Sequence, residues 1–108
     1  MNNYRLKEKD GVKIVTLEQP RFDSKCVGDI KEDLFVDISE QDSVVLNLTK
    51  VNFVDSSALG LIVSLFRRVD RRFVVCGCIS PVMAVFELTR LHKIFPIYES
   101  VEEALKHI

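Results

Sequence analysis

Two short apolar runs rich in β-branched residues, Ser43–Leu48 (SVVLNL) and Phe73–Ile79 (FVVCGCI), flank a stretch with helical periodicity. Neither run alternates with polar residues, so each reads as a strand covered on both faces. Two such strands with a helix between them require a crossover connection, and hence parallel pairing in a sheet with helices packed on it.

The remaining segments extend this pattern. Tyr4–Lys7 and Val12–Leu17 read as two strands joined at Asp10-Gly11, a hairpin signal, with Pro20 ending or bending the second. Ser24–Ser39 carries Val27, Ile30, Leu34 and Ile38 at helical spacing, with Lys31, Glu32 and Asp33 between them. Asn52–Ser57 reads as a turn, with Asp55 and Ser56 both suited to cap a helix over about Ser57–Asp70. That helix ends in Arg67, Arg68, Arg71 and Arg72, which complement the helix dipole and read as a solvated terminus. Ser80 as N-cap and Pro81 at the first position open the next helix, whose Val82, Val85, Phe86 and Thr89 share a face. Ile94–Tyr98 reads as a strand, and Ser100–Glu103 is a capping box for a last helix with an apolar stripe of Val101, Ala104, Leu105 and Ile108. The order β-β-α-β-α-β-α-β-α predicts an α/β fold: a mixed, mostly parallel sheet of about five strands with about four helices, in a single domain over residues 1–108.

Apolar residues make up 47% of the chain and charged residues 29%, as in ordinary globular proteins. The net charge of −1 supplies no field toward nucleic acid or an anionic membrane. No apolar run is long enough to span a bilayer and the first ten residues have no signal-peptide core, so a cytoplasmic location is expected. The three cysteines, Cys26, Cys76 and Cys78, suggest no disulfide framework and no zinc spacing. Period-two geometry would place Cys76 and Cys78 on one sheet face as small buried apolar groups. Phosphate-binding glycine loops, nucleophile elbows and zinc-helix motifs are missing. The two histidines, His92 and His107, have no local relation to a serine, and Glu102 and Glu103 belong to a helix start. Neither a cofactor nor a metal site is indicated, nor is an enzyme. Asn47-Leu-Thr49 is a glycosylation sequon at the end of a predicted buried strand, and is discounted there.

The informative stretch is Val45–Ile62, VLNLTKVNFVDSSALGLI. It combines a buried strand, a loop, an acidic and hydroxyl cap, and a helix with an apolar start. A phosphate on Ser57, in the first turn, would meet unpaired N–H groups at the positive end of the helix and leave the fold intact. Leu59, Ile62, Phe66 and Val69 form one stripe. Leu61 and Leu65 lie on another, which is either core or an apolar patch beside Ser57.

The Asp55–Gly60 segment (DSSALG), preceded by VVLNL and TKVNFV and followed later by ELTRLHKIFPIYESVEEAL (Glu87–Leu105), resembles the STAS domain of anti-sigma factor antagonists. The resemblance covers nearly the whole chain. It implies a bacterial signalling protein that regulates transcription through protein contacts. In that family the second serine of the motif, here Ser57, is the phospho-acceptor of an anti-sigma factor serine kinase. The unmodified domain binds that kinase and frees a sigma factor, and a serine phosphatase of the PPM type reverses the modification. Asp55 matches the motif's aspartate, and Asp23 an aspartate near the same surface. The expected partner-binding residues are therefore Asp23, Asp55, Ser56, Ser57, Ala58 and Leu61. The chain departs from the family pattern at Asn47, where aspartate is frequent, and at Pro20 and Arg90, where glycine is usual. Other readings compatible with the resemblance are a scaffold or regulatory subunit of another signalling or transport system, and a nucleotide-binding module.

Overall fold

The computed structural model describes residues 3–108. Five strands form the main sheet: β1 (Tyr4–Lys9), β2 (Val12–Leu17), β4 (Ser43–Asn47), β6 (Phe73–Cys76) and β7 (Ile97–Tyr98), in the order β1-β2-β4-β6-β7. β1 and β2 are antiparallel, and every other neighbouring pair is parallel. The hairpin turn has positive φ at both Asp10 (54°) and Gly11 (77°), the two-residue geometry that matches strand twist. Four helices complete the architecture: α1 (Ser24–Asp37), α2 (Ser56–Arg68), α3 (Ser80–Leu88) and α4 (Val101–Leu105). The predicted fold class is the observed one.

Side-chain alternation divides the core into two layers. On one face Val15, Leu17, Val44, Leu46, Phe73 and Val75 pack against α1, α2 and α3. On the other Val12, Ile14, Val45, Val74 and Cys76 are covered by Ala104, Val101 and Leu105 of α4 together with Tyr98. Strands buried on both sides explain the continuous apolar runs.

Several local expectations change. Two-residue strands, β3 (Arg21–Phe22) and β5 (Phe53–Val54), form a separate parallel pair, with β5 inside the segment expected to be a turn. The segment Leu91–Lys93 is a 3-10 turn, and β7 begins only at Ile97. Phe95 is nonetheless buried, edge-on to Phe73 and Phe86, so its apolar character reflects packing. Ser80 and Pro81 occupy the first two positions of α3, and the N-cap is Ile79, without a side-chain bond. Ser100 does cap α4, accepting from the Glu103 N–H at 3.1 Å, but the Glu103 carboxylate turns to Lys106 and His107. The arginine cluster is structural in part. Arg68 donates to the carbonyls of Phe35 and Ile38, and Arg72 to those of Glu40 and Asp42, tying the end of α1 to the end of α2.

Cys76 and Cys78 lie on opposite faces, because strand geometry stops at Gly77. Its φ of +76° turns the chain, so Cys76 packs under α4 and Cys78 against the three-helix side. A Cβ at Gly77 would collide with the Thr49 hydroxyl and lie 2.9 Å from Asn47 Oδ1. Asn47 itself is occupied: it accepts from Thr49 and donates to Thr16 Oγ1 at 3.4 Å. Arg90, standing where the family pattern has glycine, adopts φ +62°. Gly77→Ala should therefore lower stability by about 2–3 kcal/mol, from left-handed strain plus overpacking. Arg90→Gly should raise it by about 1 kcal/mol. Urea unfolding of both variants measures this, and an unchanged midpoint for Arg90→Gly would remove the strain account of that turn.

Candidate functional site

The β3–β5 pair organises the site. Its register sets Arg21 opposite Phe53 and Phe22 opposite Val54. Each strand runs straight into an aspartate that caps a helix, Asp23 for α1 and Asp55 for α2. The register thus carries Asp23 alongside Asp55, and the two helices start side by side. Asp55 joins them. Its Oδ1 accepts from the Ala58 N–H of its own helix at 3.1 Å, and its Oδ2 accepts from the Ser24 N–H of α1 at 3.0 Å. Asp23 Oδ1 accepts from the Cys26 N–H at 3.1 Å, while Oδ2 lies 3.5 Å from Arg21. The Arg21 guanidinium sits 3.9 Å from the centre of the Phe53 ring, so cation–π contact and ion pairing fix it together.

Of the two serines, Ser56 is the first residue of α2 and exposed, and Ser57 is the second and half-buried. Both fall in the turn whose N–H groups have no intrahelical acceptor. Ser57 opens onto a shallow hollow between α1 and α2, lined also by Val27, Lys31, Gly60, Leu61 and Ser64. Among the described residues no buried polar side-chain atom lacks a partner, so the serine oxygen is not sealed unpaired in the interior.

The other expected surface residues turn inward. Ala58 is 0% exposed and belongs to the core, because the third residue of α2 faces the sheet. Leu61 is 3% exposed, although it is among the residues that line the hollow, and Leu65 is fully buried. Leu61 and Leu65 therefore make no apolar patch beside Ser57. Asp23, Asp55, Ser56 and Ser57 are brought together at the paired helix starts, although Asp23 borders a separate hollow with Pro20, Arg21 and Lys25. The sequence did carry a signal for this pairing: Phe22-Asp23-Ser24 and Val54-Asp55-Ser56 are the same apolar-Asp-Ser step before a helix.

Groups elsewhere are placed for structure. Burial raises the Cys26 thiol to about 11, Cys76 to about 12 and Cys78 to about 11, keeping all three protonated at neutral pH. His92 Nδ1 lies 3.2 Å from the Phe86 carbonyl, and His107 stacks on Tyr98 beside α4, across the sheet from Ser57. No helix among the described residues is long and apolar enough to cross a membrane.

Three carboxylates titrate below their ordinary range. The Cys26 N–H, and secondarily Arg21, lower Asp23. A hydrogen bond from Lys50 lowers Glu18. Burial pushes Asp42 upward, but Lys13 and the Ser39 N–H outweigh it. The folded chain therefore takes up these protons less readily than the unfolded chain. The stabilisation is complete above about pH 5 and disappears as pH falls through the folded values, below about pH 4. Asp23→Asn, which keeps a capping oxygen, should lose less of its urea midpoint between pH 5 and pH 3 than the parent does. Parallel losses would mean that the cap does not titrate with folding.

With this geometry the chain resembles known proteins. A family model described as the STAS domain matches residues 3–104. An anti-sigma F factor antagonist from Paenibacillus polymyxa is 32% identical over 68 residues, and the match spans 60% of this chain and 58% of the relative's length. An anti-sigma-factor antagonist (STAS) domain protein from Planctomyces limnophilus superposes with a TM-score of 0.87 at 21% identity, over 94% of each chain. The Bacillus cell fate determinant SpoIIAA in its phosphorylated form gives 0.70 at 18% identity, over 95% of this chain and 96% of the other. With a family match over nearly its full length and the same sheet and helix arrangement, the chain belongs to the STAS domain family.

Proposed function

We propose that this chain is an anti-sigma factor antagonist: unmodified, it docks on an anti-sigma factor serine kinase and so releases a sigma factor, and phosphorylation of Ser57 ends that docking. A serine phosphatase of the PPM type restores the binding form. The observation that carries this reading is the position of Ser57, half-exposed at the second residue of α2, beside the fixed caps Asp55 and Asp23. The name of the Paenibacillus relative supports the antagonist role, and the phosphorylated form of the Bacillus neighbour supports a phosphate-tolerant fold. The docking surface comprises Asp23, Asp55, Ser56 and Ser57.

Charge alone is large enough for the switch. A phosphoserine carries roughly −1.5 to −2 charges. At about 6 Å from one partner carboxylate, with an effective dielectric near 20, the repulsion is on the order of 4–5 kcal/mol before screening. Half of that still weakens affinity by roughly 30–70-fold. The paired helix starts need not move, because a phosphate at N-terminal N–H groups suits the dipole.

Titration of the anti-sigma factor serine kinase with unmodified and Ser57-phosphorylated chain tests this, with an expected loss of about 30–70-fold. Ser57→Ala should bind like the unmodified chain and never switch off. Ser57→Asp should weaken binding only partly, since one carboxylate carries less charge than a dianion. Equal affinities of the modified and unmodified chains would overturn the switch.

A further inference from the structure

The hollow in front of Ser57 contains one charged side chain, Lys31 of α1. Lys31 takes part in none of the ion pairs among the described residues. Its sequence neighbours Glu32 and Asp33 project from other faces of α1, since only positions three and four apart share a face. Val27, four residues earlier, shares the wall of the hollow with it.

The helix arrangement aims this lysine. α1 and α2 run parallel: Asp55 bonds the first N–H of α1 at one end, and Arg68 bonds the carbonyls of Phe35 and Ile38 at the other. Equal levels on the two helices therefore differ by about thirty residues, which sets Lys31 near Ile62, somewhat beyond Ser57. Helical side chains lean toward their own N-terminus. The four-carbon stem of Lys31 thus leads its ammonium back toward the serine. Between them lies Gly60, where an added Cβ would meet nothing within 4 Å, so the floor of the hollow is open. The other charged groups at the helix starts are Asp23, Lys25 and Asp55. Both oxygens of Asp55 are engaged by backbone N–H groups, and Asp23 is held by the Cys26 N–H and Arg21.

Resting on Ser57 as the modified residue, we propose that Lys31 is the internal counter-ion of its phosphate. The ammonium closes over the phosphate in the α1–α2 hollow and holds it against the domain. Lys31 is a positioning residue: it does not receive the phosphoryl group, but fixes where the dianion sits and favours its fully ionised form. The switch then responds to a group on α1 as well as to Ser57.

Phosphoserine placed at position 57 by genetic encoding, without any kinase, allows a direct test. Phosphorus NMR follows the second ionisation of the phosphate in the parent, in Lys31→Gln and in Lys31→Arg. The parent should ionise about 0.5 pH unit lower than Lys31→Gln at low salt, with the gap closing as salt rises. Lys31→Arg should restore the low value. Identical titrations for the parent and Lys31→Gln would overturn the inference. Because the phosphoserine is encoded and needs no kinase, the result is independent of partner binding. A salt-sensitive gap alongside unchanged affinity for the anti-sigma factor serine kinase would sink the switch while leaving the counter-ion in place.

Discussion

The bridge made by one carboxylate, Asp55, holds the functional end of this molecule together. It satisfies an N–H in the first turn of α2 and the first N–H of α1, two donors that no helical carbonyl can reach. Charge-assisted bonds of this kind are roughly twice as strong as neutral ones. The β3–β5 pair places the two helix starts in register, and Asp55 locks them there. The exposure of Ser57, the hollow before it and the parallel run of α1 and α2 all follow from that junction. At the far end Arg68 and Arg72 do the corresponding work for the carbonyls of α1 and the loop after it.

This arrangement separates the core from the proposed site. Phe66 of α2 packs into a phenylalanine cluster with Phe73, Phe86 and Phe95 on the sheet side of the helix, and the serines lie at its rim. In the reading proposed above, a charge added at the rim meets helix N–H groups and Lys31, and no buried apolar surface has to be uncovered.

Much of the fold was legible because its signals are strong. Runs such as SVVLN, buried on both faces, leave few alternatives to a parallel sheet, and the capping aspartate of α2 was visible beside its helix. What was missed is non-local or very short. Two-residue strands carry no periodicity, so β3 and β5 were hidden, although the repeated apolar-Asp-Ser step marked where they end. The inward turn of Ala58 and Leu61 depends on which side of α2 meets the sheet, and the apolar residues that surround that helix left the choice open. Cys76 and Cys78 obeyed strand parity in sequence, but one left-handed glycine reversed it. Lys31 carried no sequence signal at all, since its relation to Ser57 exists only once α1 and α2 lie side by side.

The unequal covering of the sheet has a consequence for biosynthesis. One face receives three helices that precede α4 in the chain, whereas the other waits for the five residues of α4, which follow every other strand and helix of the fold in chain order. Until they leave the ribosome, Val12, Ile14, Val45 and Val74 form a bare apolar strip on an otherwise assembled domain. That interval is when a nascent chain most needs a chaperone, and a stop codon upstream of Val101 would make the interval permanent.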